Sequence, residues 1–176
     1  MYTTDKFEKL IDIDEYLQRY VNVEEFEECC KACPNYGGLW SCPPYNFRAE
    51  DYWKDFSKLL VVGRKITFCG ELSQEEAMEI MLKVKGEMAE ELYARETSEA
   101  GAVSLSAGSC DLCSSVGCTR KEGNPCRYPG KMRYSIESLG GNVGLTVSRL
   151  LGIELEWIEE GKVPSYFVLV GGLLIK

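Results

Sequence analysis

Nine cysteines and no histidine stand in this 176-residue chain. Four of them crowd into one stretch, Cys110 to Cys126, spaced C-x2-C-x4-C-x7-C, with Pro129 following. A C-x2-C loop lets two thiolates converge on one centre, and the short, Gly- and Pro-containing loops after it can bring back Cys118 and Cys126. Disulfides, a zinc ion or an iron–sulfur cluster would each account for such a grouping. Four thiolates suit tetrahedral zinc or a cubane [4Fe–4S] cluster. The spacing matches neither a zinc ribbon with its two knuckles nor the bacterial or plant-type ferredoxin run.

A second group lies upstream in CCKACPNYGGLWSCPP, Cys29 to Pro44. Cys30 and Cys33 form another C-x2-C, and Cys42 is followed at once by Pro43 and Pro44. A proline after a ligating cysteine withholds a backbone donor and keeps the loop from turning helical. Cys29 is either a fourth ligand or a small apolar packing residue. The two C-x2-C pairs together, Cys30, Cys33, Cys110 and Cys113, would also make a four-thiolate zinc site. Cys69 stands alone after an apolar run and reads as a buried core thiol.

The absence of histidine removes Ser-His-Asp and Cys-His catalysis and any His-liganded zinc. The net charge is -8, which argues against nucleic-acid or anionic-membrane binding. The N-terminus lacks the basic and apolar regions of a secretory signal, and the apolar stretch Val168 to Ile175 is too short to span a membrane. We expect a soluble cytoplasmic protein, where reduced clustered thiols point to metal rather than disulfides. Locally the charge inverts. Residues 29–48 hold Lys31 and Arg48 and no acid, giving +2. Residues 110–133 hold Arg120, Lys121, Arg127, Lys131 and Arg133 against Asp111 and Glu122, giving +3. Such cations lower the cost of an anionic thiolate-ligated centre, or form a dock for an anionic small molecule or redox partner protein. Tyr36, Trp40 and Tyr45 shield the upstream group from water or anchor its loop.

The elements that must position these loops follow from periodicity. Short amphipathic helices are expected over Asp14–Tyr20 and Glu24–Glu28, and another over Glu50–Lys58. LLVVGRKITF, Leu59 to Phe68, reads as a buried strand. Ser73 and Glu76 make a capping box for a helix running to about Glu96, with Ala77, Met81, Val84, Met88 and Leu92 on one face. Ala102–Gly108 reads as a strand delivering the chain into the second cysteine block. Residues 135–152 suggest a helix weakened by Gly140, Gly141 and Gly144, the Gly-Gly pair being a turn or tight packing point. Two strands, IELEWIE (Ile153–Glu159) and YFVLVGGLLI (Tyr166–Ile175), close the chain. The whole is expected to be one α+β domain over residues 1–176, a mixed or antiparallel sheet with helices on one face and two cysteine-rich loops.

CPNYGGLWSCPPY together with C-x2-C…GNPCRYPGKMRYSIESLGGNV resembles an uncharacterised bacterial and archaeal family described as predicted metal-binding proteins. That family is marked by a Cys–Tyr-Gly–Trp–Cys-Pro-Pro block and by a second block with a Pro-Cys-Arg-x-Pro segment and a Ser-x-Glu-x-x-Gly segment. The resemblance covers nearly the whole chain and implies metal binding by Cys30, Cys33, Cys42, Cys110, Cys113, Cys118 and Cys126. One departure is the loop Ser114 to Gly117, slightly longer than the family's usual spacing. The resemblance supplies no reaction.

Three functions compete on this reading. One is an electron-transfer or redox-accessory protein with one or two [4Fe–4S] clusters. Another is an enzyme whose cluster keeps an open iron, with Arg133, Tyr134, Ser135 and Glu137 as the nearest side chains; Glu137 is equally a plain acid at a helix N-terminus. The third is a structural zinc protein that binds another macromolecule.

Overall fold

The computed structural model describes residues 1–156 and 162–176. Its sheet is antiparallel throughout, in the order β1 (Tyr2–Asp12), β2 (Lys58–Phe68), β4 (Tyr166–Ile175), β3 (Val103–Leu105). β2 and β4 pair over nearly their full lengths, from Lys58 opposite Ile175 to Thr67 opposite Tyr166. The expected class, α+β with an antiparallel sheet, is what the chain adopts.

The helices divide between the two faces rather than sharing one, as the sequence reading had them. Successive residues of a strand point to opposite sides. Leu60 and Val62 of β2 meet Met88 and Leu92 of helix α4 (Gln74–Ser98). Leu59 and Val61 instead join Ile13 and Tyr16 of α1 (Ile13–Tyr20) and Trp53 of α3 (Ala49–Lys54). An unbroken Leu-Leu-Val-Val run needs cover on both sides, and receives it. Gly171 permits the close packing of α4: a Cβ there would lie 2.6 Å from the Leu105 carbonyl oxygen and 3.1 Å from Met88 Cε.

Several local expectations stand and several change. The Ser73–Glu76 capping box is formed in both directions and starts α4. α3 ends at Lys54, short of the expected Lys58, because β2 begins there. The helix expected over 135–152 is broken into a 3₁₀ turn (Glu137–Leu139), a helical turn (Val143–Leu145) and a π-helical segment (Thr146–Leu150). The break is at Gly140, whose φ of +82° suits glycine and whose added Cβ would lie 2.6 Å from Val23 Cα. Ile153–Glu156 is not a strand, and the rest of that expected strand, residues 157–159, lies outside the described residues. β1 had no counterpart in the sequence reading. Cys69 is exposed rather than buried, since it lies one residue past β2, where its N–H donates to the Met1 carbonyl at 2.9 Å. Among the described residues no helix is long and apolar enough to cross a membrane.

Candidate metal centre

The downstream cysteine block has almost no regular structure, so its thiols are set by tight turns. The Cys113 carbonyl accepts the N–H groups of Val116 (3.1 Å) and Gly117 (2.8 Å), reversing the chain between the second and third cysteines. Gly117 takes a φ of +77°, which a side chain would strain. Cys118 then immediately precedes a 3₁₀ turn, Thr119–Glu122, that ends on left-handed Gly123. Thr119 closes the return by donating its hydroxyl to the Pro125 carbonyl at 2.8 Å, next to Cys126. Cys110, Cys113, Cys118 and Cys126 consequently line one cavity of about 430 Å³. The longer loop before Cys118 does not remove it from that wall. Among the described residues no three Cys, Asp or Glu side chains converge as a single ion needs. The thiols instead ring a space.

The upstream block leaves a helix. Cys29 and Cys30 fall in the last turn of α2 (Val23–Lys31), whose start is capped by Asn22 accepting from the Glu25 N–H. Cys33 donates its N–H to the Cys30 carbonyl (2.9 Å), so the C-x2-C closes as a turn. Gly37 donates to the Pro43 carbonyl (2.8 Å), folding the loop so that Cys42 returns. Cys30, Cys33 and Cys42 line a second cavity of about 220 Å³ together with Ser135, Glu137 and Ser138. Cys29 is not on that wall and is exposed.

The two cavities abut. Asn35 and Ser109 line both. Buried Ser41 accepts the Cys110 N–H on its hydroxyl at 3.1 Å, and the same oxygen lies 3.8 Å from Cys42 Sγ. Arg120, from the downstream block, donates to the upstream carbonyls of Leu39 (2.7 Å), Cys42 and Pro44, while its guanidinium stacks over Trp40. Trp40 in turn donates its indole N–H to the Asn124 carbonyl at 3.2 Å.

Residues 17–175 match a family described as predicted metal-binding protein, DUF2284. The chain belongs to this family. No curated protein and no solved structure matches it. Membership in the DUF2284 family makes this a predicted metal-binding protein, and seven of its nine cysteines line the two cavities.

All nine cysteines are free thiols in this DUF2284 member. Cys30 and Cys33 face one cavity and Cys110 and Cys113 the other, so the two C-x2-C pairs are not brought to a common site. Burial pushes the Cys30 thiol up to about 11, with the nearby Cys42, Cys33 and Glu137 adding to the effect. Burial likewise raises Cys42 and Cys110. Binding a cation as thiolates therefore means releasing protons from half-buried groups.

The cationic side chains of the downstream block are largely engaged by the protein itself. Arg120 holds the upstream carbonyls, Arg127 donates to the Gly117 carbonyl, and Arg133 pairs with Glu96 at 2.9 Å. Lys85 of α4 pairs with Asp111 at 2.5 Å and donates to the Ser109 carbonyl at 2.7 Å. Tyr45 donates to the Ser41 carbonyl (2.8 Å) and stacks on Phe47, so it anchors the loop. Tyr36 and Trp40 line the smaller and larger cavities respectively.

Glu137 is the residue whose position departs most from expectation. It opens a 3₁₀ turn, yet its carboxyl is sunk between α2 and the upstream loop, and Oε2 has neither solvent nor a hydrogen-bond partner. The residue counts as half-buried overall, but this oxygen is shut in. Burial pushes the carboxyl above its usual range, against the hydrogen bonds from its own backbone and Ser135 and the charge of Lys85.

Proposed function

We propose that this protein carries iron–sulfur clusters at the two thiol-lined cavities and serves in electron transfer or as a redox accessory. Cys110, Cys113, Cys118 and Cys126 would hold one cluster, and Cys30, Cys33 and Cys42 the other. The observation that carries the reading is the shared wall: Ser41 lies against Cys42 Sγ and accepts from the Cys110 N–H, so one residue joins the two donor sets. Centres so close can exchange electrons without a large rearrangement.

The donor chemistry fits. Four cysteine sulfurs spread around a cavity of about 430 Å³, beside Asp111 and Glu122, suit a multi-iron cluster, whereas a closed zinc site would draw its four sulfurs to about 2.3 Å from one ion. Such a cluster, once held, supplies reversible one-electron chemistry. The chain's own residues would neutralise its charge, exclude water with Trp40 and Tyr36, and hold the two loops in register through Arg120.

The test is metal and acid-labile sulfide content of protein purified without oxygen, with a visible spectrum and a reductive titration. About eight iron and eight sulfide per chain, in brown protein that takes up electrons reversibly, is the expected result. About four of each would leave a single cluster. Colourless protein with zinc and no sulfide would overturn the redox reading and leave a structural zinc protein.

A further inference from the structure

We infer that Glu137 is the fourth donor of the upstream centre, completing Cys30, Cys33 and Cys42 with a carboxylate oxygen. The inference rests on the reading that the upstream cavity holds metal, and goes beyond it by fixing a ligand set of three thiolates and one oxygen.

Three observations converge. Glu137 lines the same cavity as the three thiols, although about a hundred residues of chain separate them. Its Oε2 is sealed from water and accepts no hydrogen bond. Leaving a buried acceptor in that state is costly, the more so if it is charged, and a cation bound beside it would offset that cost. Lys85, the cation whose charge acts on this carboxyl, already serves Asp111 and the Ser109 carbonyl. A metal held by the neighbouring thiolates is the remaining positive partner on that wall.

The alternative fourth donor, Cys29, is poorly placed. It precedes Cys30 in α2, and successive residues of a helix point about 100° apart. Cys30 faces the cavity while Cys29 is exposed. An oxygen in place of a fourth thiolate also gives the two centres different characters, one ligated by sulfur alone and one holding a harder, more exchangeable donor.

The experiment compares wild-type holoprotein with Glu137→Gln, Cys29→Ala and Cys33→Ala, all purified without oxygen. Metal and sulfide content, the rate of metal release to a chelator and the low-temperature EPR spectrum are read for each. Glu137→Gln keeps the shape and removes the anionic donor. It should release the upstream metal about tenfold or more faster and alter the EPR signal of that centre alone, while Cys29→Ala matches wild type. Wild-type release and spectrum from Glu137→Gln would overturn the inference, because a merely buried acid would tolerate glutamine. Cys33→Ala separates the two levels. If it loses one centre's metal and Glu137→Gln loses none, only the Glu137 assignment falls. If it keeps all its metal, the upstream centre itself is absent. Should Glu137→Gln fail to fold, the Mössbauer spectrum of wild-type holoprotein decides: one iron with an oxygen ligand, distinct from its neighbours, supports Glu137, and its absence overturns it.

Discussion

The two cysteine blocks bring their thiols to a cavity wall by different means. The downstream block assembles four thiols from one stretch of 17 residues, Cys110 to Cys126, using turns that its own glycines and Thr119 close. The upstream block has three thiols at its cavity and borrows the rest of the wall from Ser135, Glu137 and Ser138, far along the chain. Local turn chemistry suffices for the first. The second exists only after the sheet, α2 and the 3₁₀ turn at Glu137 have met. Side-chain groupings that are compact in sequence can therefore be read before folding, and those completed by tertiary structure cannot.

Breaking that comparison begins with the proposed ligands. Cys126→Ala should remove the proposed downstream cluster almost entirely, lowering iron and sulfide by about half if both proposed centres are filled. Metal analysis of anaerobically purified protein checks this; full retention would mean that the spacing had misled us. Next in size, Arg120→Ala removes three charge-assisted hydrogen bonds that join the blocks and leaves carbonyls of Leu39, Cys42 and Pro44 without that donor. We expect a loss of about 2–3 kcal/mol in denaturant unfolding, together with faster metal release from both centres.

A smaller effect is expected at Glu96, which accepts from the Ser104 N–H (2.7 Å), its hydroxyl (2.6 Å) and Arg133, fastening α4 to β3 and to the exit of the downstream block. Burial alone would raise this carboxyl, but the hydrogen bonds from Arg133 and Ser104 outweigh it and hold it below its ordinary value of 4.5. A group depressed in the folded state contributes its stability above the unfolded value and loses it as pH falls through the folded one. Glu96→Gln should thus cost about 1–2 kcal/mol near neutrality and progressively less in acid, so the two proteins' melting temperatures should approach one another below about pH 4. A constant gap across that range would argue against the ion pair. At the bottom of the scale, Cys69→Ala and Cys29→Ala should leave metal content unchanged, since both thiols are exposed and off the cavity walls.

Legibility in the sequence followed the same division. α4 was plain because its capping box and apolar stripe are local, and β2 was plain because Leu59 to Val62 is apolar without interruption. β1 was hidden: on this edge strand only Ile11 is buried, and Lys, Glu and Asp occupy positions where alternation would otherwise show. The run at 135–152 has helical composition, but Gly140 turns left-handed against Val23, a contact that no local pattern announces. Glu137 could be named as a candidate from its proximity in sequence to the downstream cysteines, yet it is the upstream cavity that it lines. Cys69 misled because an apolar strand precedes it, while burial stops where the strand does.

Arg120 has a consequence for anyone wishing to borrow these loops. Its guanidinium belongs to one block and its acceptors to the other. Neither cysteine loop is portable. A peptide excised around Cys30–Pro44 would lose the hand that holds its carbonyls, and one excised around Cys110–Cys126 would carry that hand with nothing to grip. Grafting, truncation and minimisation of this protein have to treat the pair as one indivisible part.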